Sequence, residues 1–232
     1  MGFDKKTFRT RTLTAIFFVA VMLLGLFTNV WAFLFLFFTI MIGCLIEYVR
    51  LVNRFNAYLL PLAFFYIIMP VLMMIDLGVD GTLFASGERG DLYVSKVFTP
   101  LFPCAIIFSI WINDTMAYIV GSMIGRTPFS KISPNKTWEG TAGGAVLCVV
   151  VIAILGSVIP AANHIALNHW IAIAAICAIF GTLGDLLESK IKRLAKVKDS
   201  GHFMPGHGGF LDRFDSLLTA IPFVWLYLKL FL

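Results

Sequence analysis

Residues 181–216 read GTLGDLLESKIKRLAKVKDSGHFMPGHGGFLDRFDS, and they differ sharply from the rest of the chain. The stretch holds five acidic side chains, six basic side chains and two histidines, in a protein that is 59% hydrophobic. Within it, Asp185, Glu188 and Lys192 are spaced so that a helix presents them on one face. Pro205 and the glycines that follow it cannot continue that helix. The stretch therefore predicts a helix, a turn and a second helix.

The second helix begins with two carboxylates, Asp212 and Asp215, which are three residues apart and share a face. We expect this face to meet Asp185 of the first helix across the turn. Carboxylate oxygens suit a hard cation such as Mg²⁺, which is commonly shared with substrate phosphates. Neighbouring Lys and Arg side chains can hold the remaining phosphate oxygens. The stretch thus predicts phosphoryl or nucleotidyl transfer, with these three aspartates as metal ligands.

A second interpretation of the same charges is a solvated network in which carboxylates pair with lysines and arginines. We favour this interpretation for Glu188, Lys190 and Lys196. We favour a function for Asp185 and Asp212, because each lies where an apolar run ends or begins. His207 has three interpretations: a donor to phosphate, a proton shuttle, or a turn residue satisfied by the backbone.

The composition of the chain indicates an integral membrane protein. Its 59% hydrophobic and 13% charged residues and its mean hydropathy of +0.91 lie outside soluble usage. The apolar runs are too continuous for barrel strands, whereas a spanning helix needs about 20 apolar residues. We predict an all-α polytopic bundle of about seven transmembrane helices, at 12–28, 30–46, 57–76, 98–120, 140–161, 168–187 and 214–232. The first two segments form either a hairpin of short spans or one long bent helix.

The distribution of basic residues predicts how the bundle is oriented. With a cytoplasmic N-terminus, fifteen of the 18 Lys and Arg residues fall in cytoplasmic segments, as the positive-inside rule requires. The net charge of +5 is then an orientation signal. The lipid bilayer is an expected partner and nucleic acid is not. We divide the chain into N-terminal transmembrane helices, 1–112, and a catalytic transmembrane region, 113–232, with cytoplasmic loops at 122–139 and 188–213.

Asp114 lies within the fourth apolar segment, where an ionisable side chain is costly and is a functional candidate by default. It could line a polar cavity with Asn113 and Tyr118, or make an interhelical hydrogen bond. Gly121 and Gly125 form a small-xxx-small pair that predicts close helix packing.

The motif SPNKTWEG, residues 133–140, is the second candidate for phosphate binding. Lys136 offers a point charge to a phosphate, although a single cytoplasmic lysine also serves as an orientation signal. Thr137 or Glu139 could begin the following helix. Trp138 is interpreted as an interfacial anchor.

Together these motifs resemble the signature of the phosphatidate cytidylyltransferase family, also called CDP-diacylglycerol synthases. That signature has a serine, then Lys-Arg, Lys-Asp, a Pro-Gly-His-Gly-Gly turn and an Asp-Arg-hydrophobic-Asp end. It is filled here by Ser189, Lys192, Arg193, Lys198, Asp199, Pro205, Gly206, His207, Gly208, Gly209, Asp212, Arg213 and Asp215. The lead Gly184, Asp185 and Glu188 also matches, as does the motif from Ser133 to Gly140, which departs from the family only by the extra Asn135.

The resemblance implies that CTP and phosphatidate are converted to CDP-diacylglycerol and pyrophosphate, with dependence on Mg²⁺. It implies Asp185, Asp212 and Asp215 at the cation, and catalytic roles for Lys198 and His207. The family is associated with two cations at the site, so a monovalent companion such as K⁺ is allowed for. The implied substrate-binding residues are Asp114, Ser133, Lys136, Thr137, Glu139, Ser189, Lys192, Arg193, Asp199, Gly208, Gly209 and Arg213.

Two other functions remain open at this point. One is a CTP-dependent lipid or polyprenol kinase, which transfers the γ-phosphate. The other is an ion-coupled transporter that uses the intramembrane aspartates. A homodimer is compatible with the sequence but not required by it.

Overall fold

The computed structural model describes the backbone of residues 5–79, 98–204 and 208–232, and side-chain surroundings from residue 12 onward. Those parts of the chain are all-α. The helices are α1 (Lys5–Phe27), α2 (Val30–Val52), α3 (Met69–Gly78), α4 (Leu101–Ile124), α5 (Trp138–Val158), α6 (Leu167–Leu194) and α7 (Leu211–Phe231). A 3₁₀ turn at Ala57–Leu59 and a π-helical segment at Phe64–Ile68 precede α3.

Five of the described helices, α2 and α4 to α7, are long and apolar enough to cross a membrane. Two further apolar helical stretches are shorter, at Thr12–Phe27 and Phe64–Gly78. Each of the seven predicted segments therefore corresponds to helix, and the all-α membrane bundle is confirmed. Large side chains such as Phe35 (76% exposed) and Val158 (70% exposed) cover outward surfaces, as expected where lipid replaces water.

The junction between the first two segments is a break between two helices. Helix α1 ends at Phe27, and Asn29 is fully extended, with φ −168° and ψ 171°. Its side-chain oxygen accepts a hydrogen bond from the Ala32 amide at 2.9 Å. Asparagine is among the preferred N-cap residues, so this side chain satisfies one of the amides at the start of α2. Of the two alternatives, the single long bent helix is wrong.

The chain packs as two compact units. One comprises Met1–Pro100 and Ile191–Phe214, and the other Leu101–Lys190 and Asp215–Leu232. This grouping differs from the division at residue 112, because the segment after α6 packs with the first hundred residues. In the first unit the core is aromatic: the rings of Phe33 and Phe37 have centroids 4.8 Å apart, and both are fully buried.

Glycines bring the helices of the second unit close together. A Cβ atom added at Gly140 would lie 2.8 Å from the Cα of Gly121, so the backbones of α4 and α5 nearly touch there. A Cβ added at Gly184 of α6 would lie 2.6 Å from the carbonyl oxygen of Asp215 on α7. The close packing predicted for Gly121 is confirmed, and the approach at Gly184 brings the carboxylate ends of α6 and α7 together.

Candidate active site

Three carboxylates of the second unit converge at the ends of α6 and α7. One oxygen from each of Asp185, Glu188 and Asp215 lies within 4.8 Å of the other two. Glu188 is fully buried, Asp215 is 7% exposed and Asp185 is half-buried. Carboxylates this close repel one another when ionised, and a cation or a shared proton relieves that repulsion. The donor set, oxygen only and partly buried, is the kind that holds a hard divalent cation such as Mg²⁺.

Lys136 supplies a positive charge to the same group. Its ammonium forms an ion pair with Oδ2 of Asp185, and the two side chains are 27% and 31% exposed. On the other side, the hydroxyl of Ser189 lies 3.3 Å from Oδ1 of the same aspartate and donates to it. Asp185 is therefore held by a residue from the 133–140 motif and by one from its own helix.

The loop that carries Lys136 is tied to the start of α5. Thr137 is the N-cap of that helix, and its Oγ1 accepts from the Gly140 amide at 3.1 Å. The Glu139 carboxylate accepts from the hydroxyl of Thr127 at 2.7 Å and from the amides of Arg126 and Thr127 at 3.1 Å. The predicted helix start is confirmed. The side chains of Thr137 and Glu139 hold the loop in place, and their assignment to substrate stays a prediction.

Asp212 belongs to a separate group in the first unit. Its Oδ1 accepts from the ammonium of Lys192 at 2.6 Å, and both side chains are nearly buried. Its Oδ2 accepts from the amides of Ser200 and Gly209, each at 2.8 Å. Lys192 and Asp212 thus form an ion pair across 20 residues of the chain. A metal role for Asp212 stays a prediction.

Glu47 of α2 is a functional candidate that the sequence did not reveal. It is 5% exposed, and its Oε2 lies 2.6 Å from the hydroxyl of Ser200. The same carboxylate accepts from the amides of Phe210 at 3.0 Å and Leu211 at 2.9 Å. The Ser200 hydroxyl also lies 2.9 Å from Oδ2 of Asp212, so it links the two carboxylates. The only local signal for Glu47 was its position as an acidic residue inside an apolar run.

The glycine turn fits closely around these carboxylates. Gly208 has a φ of 86°, in the left-handed region that favours glycine, and its carbonyl accepts from the Met204 amide at 2.9 Å. A Cβ at Gly209 would overlap the carboxylate of Glu47. The turn therefore requires glycine at both positions, as the close backbone approach predicted from the sequence implies.

The structure gives fewer side-chain contacts for the other predicted site residues. Arg193 donates to the carbonyl of Val197 at 3.2 Å. His207 lies outside the described residues, so its three interpretations stay open. Asn113 is buried, whereas Asp114 and Tyr118 are exposed, and the polar cavity suggested for these three residues stays a prediction. The Ser133 carbonyl accepts from the Lys136 amide, and the side chains of Lys198, Asp199 and Arg213 are exposed.

Comparison with known proteins agrees with these groups. A family model described as the cytidylyltransferase family matches residues 61–231. A phosphatidate cytidylyltransferase of Bacillus subtilis (strain 168) is 46% identical over 131 residues, which cover 56% of this chain and 47% of the relative. One from Staphylococcus haemolyticus (strain JCSC1435) is 46% identical over 116 residues, covering 49% of this chain and 43% of the relative. The matched parts thus span less than half the length of these curated relatives. Because the family model matches well over half of this chain, the chain belongs to the cytidylyltransferase family.

Proposed function

We propose that the chain transfers the cytidylyl group of CTP to phosphatidate, giving CDP-diacylglycerol and pyrophosphate. The observation that carries this proposal is the convergence of Asp185, Glu188 and Asp215 beside Lys136 at the ends of apolar helices. The names of the relatives supply the two substrates. A lipid phosphate reaches such a site from the bilayer and a nucleotide from the aqueous side.

The carboxylate group fits the divalent cation that such a reaction uses. We propose that Asp185, Glu188 and Asp215 hold Mg²⁺, which when bound neutralises charge on the phosphates. The sequence assigned Asp212 to this set; we retain it as a candidate and add Glu188, whose burial and convergence support it. A monovalent companion such as K⁺ stays part of the proposal without a residue assigned to it.

The chain's own residues have positioning and charge-balancing roles. In the proposed reaction a phosphate oxygen of phosphatidate attacks the α-phosphorus of CTP, the bond to the bridging oxygen breaks, and pyrophosphate leaves with those electrons. Lys136 holds Asp185 and offers its remaining N–H groups to a phosphate. Lys192, Arg193, Lys198 and Arg213 carry fixed positive charge that favours the developing negative charge on pyrophosphate.

The proposal places the site at the cytoplasmic face. Support comes from the concentration of Lys and Arg in the same segments that carry the motifs. A homodimer is not needed, since every group named above comes from one chain.

An assay of the purified full chain with CTP and phosphatidate, with and without Mg²⁺, tests the proposal. We expect equal amounts of pyrophosphate and CDP-diacylglycerol, and no product after chelation. Release of CDP with a newly phosphorylated lipid would identify a kinase instead. Ion movement in liposomes without any cytidine-lipid would identify a transporter.

A further inference from the structure

The first unit contains a cavity of about 710 Å³ on one face of α2. Its lining includes Gly43, Glu47 and Arg50 of this helix, with spacings of four and three residues, and Arg54, which lies two positions beyond the last helical residue, Val52. The first three therefore form one stripe along the helix, and Arg54 lies beyond its C-terminal end. All of them precede residue 61, where the family match begins.

The stripe changes chemistry along its length. Gly43 and Ile46 lie inside the candidate membrane span Val30–Val52, whereas Arg54 lies just beyond its end. From Gly43 to the helix end at Val52 the helical rise covers about 14 Å, so the stripe runs from the hydrocarbon toward the polar interface. The wall of the cavity is thus apolar at one end and doubly cationic at the other.

The facing wall also carries both apolar and basic side chains. Phe210 packs against the helix at Gly43, where an added Cβ would lie 2.5 Å from its ring, and Phe203 lies 4.1 Å from Phe210 between ring centroids. Lys198 and His202 line the polar part. Apolar side chains therefore continue on both walls.

The charges of the cavity favour an anion at its polar end. Arg50, Arg54 and Lys198 outnumber the two carboxylates that line it, Glu47 and Asp199, and the Glu47 carboxylate already accepts from three donors. Neither of the ion pairs described above, Lys136 with Asp185 and Lys192 with Asp212, involves Arg50 or Arg54. Arginine is well suited to phosphate because its planar fork donates two parallel hydrogen bonds.

We propose that this cavity binds the phosphate head of an anionic glycerolipid, with Arg50 and Arg54 as the phosphate contacts and Gly43, Ile46 and Phe210 beside the acyl chains. The assignment rests on the proposed function, which makes that lipid phosphatidate. The gradient from apolar to cationic favours a lipid over CTP, since a nucleotide triphosphate offers no hydrocarbon to the apolar end. The inference adds two recognition residues and names the substrate they select.

The test uses the full chain purified in detergent, with short-chain phosphatidate in micelles, and the variants Arg50→Gln and Arg54→Gln. Lys190→Gln is the control, because it removes one exposed positive charge away from this cavity. Binding of phosphatidate without CTP is measured by calorimetry, and KM is measured for each substrate separately. Unfolding temperature reports whether a variant is folded, and Arg50→Lys serves as a conservative variant.

We expect each glutamine variant to raise the Kd and KM for phosphatidate about tenfold, the loss of one charge-assisted contact. KM for CTP should stay within about twofold by the same arithmetic, and Arg50→Lys should recover part of the affinity. Glycerol 3-phosphate should bind far more weakly, because it lacks the apolar part.

A rise in the KM for CTP alone would assign the cavity to the nucleotide and overturn the proposal. Unchanged phosphatidate binding in both variants would also overturn it. If the wild-type chain binds phosphatidate through Arg50 but makes no CDP-diacylglycerol, the proposed function fails and the cavity assignment stands. If the chain makes CDP-diacylglycerol and neither glutamine variant changes phosphatidate binding, the proposed function stands and the cavity assignment fails.

Discussion

Glu47 shows how much one buried side chain can control in this protein. Its carboxylate accepts from the hydroxyl of Ser200 and from two successive amides, those of Phe210 and Leu211. In Glu47→Gln one acceptor oxygen becomes an NH₂ group, which faces donors instead of accepting from them. We expect a loss of about 2 kcal/mol in the free energy of unfolding, since a buried donor is left unsatisfied. Because Ser200 also contacts Asp212, we expect kcat to fall by a larger factor than the affinity for either substrate.

Thermal unfolding in detergent and a comparison of kcat with KM check this prediction. Thr39→Val on the same helix is the matched control, because Thr39 is exposed and its hydroxyl bonds only within α2. A Glu47→Gln variant with wild-type stability and turnover would show that the carboxylate is not needed to hold the turn.

Glu188 is the residue at which local reasoning and the folded chain differ most. The sequence favours a solvated charge network for it, whereas Glu188 is fully buried with Asp185 and Asp215. We expect Glu188→Gln to raise the Mg²⁺ concentration needed for half-maximal activity and to lower kcat, because the group loses one negative charge. Activity measured across a Mg²⁺ titration checks this. Lys190→Gln is the control, and an unchanged Mg²⁺ dependence in Glu188→Gln would remove Glu188 from the cation group.

Among the helices, α5 matters for the site because its N-terminus holds the loop that carries Lys136. Thr137 caps the helix through the Gly140 amide. Replacing such a cap by alanine costs about 1 kcal/mol. Thr137→Ala should therefore loosen the loop and weaken the ion pair of Lys136 with Asp185, raising the KM for CTP, whereas Thr137→Ser should retain the cap. Limited proteolysis between residues 126 and 137 and the two KM values are the measurements. If Thr137→Ala and Thr137→Ser have the same KM for CTP, the cap does not affect substrate binding.

For the molecule as a whole, the sequence predicted the helices well because apolar run length is a local property. Local spacing also predicted that Asp185 and Asp215 would lie at helix ends. It could not predict that Glu47 would reach Ser200 across 153 positions, since no pattern within α2 indicates a partner so distant. It likewise could not predict the ion pair of Lys192 with Asp212, because that contact depends on packing around a turn rather than on helix periodicity.

The orientation of the molecule can be tested because all four native cysteines, at 44, 104, 148 and 177, are buried. A single added cysteine on the surface should therefore dominate labelling by a membrane-impermeant thiol reagent. The bias of Lys and Arg predicts that Lys131→Cys reacts in inverted vesicles and Asn163→Cys in intact cells. Both positions are exposed, so a difference between them reports sidedness rather than burial. The opposite pattern would place the Lys136 loop outside the cell, where CTP is not supplied, and would contradict the proposed cytidylyl transfer along with the orientation.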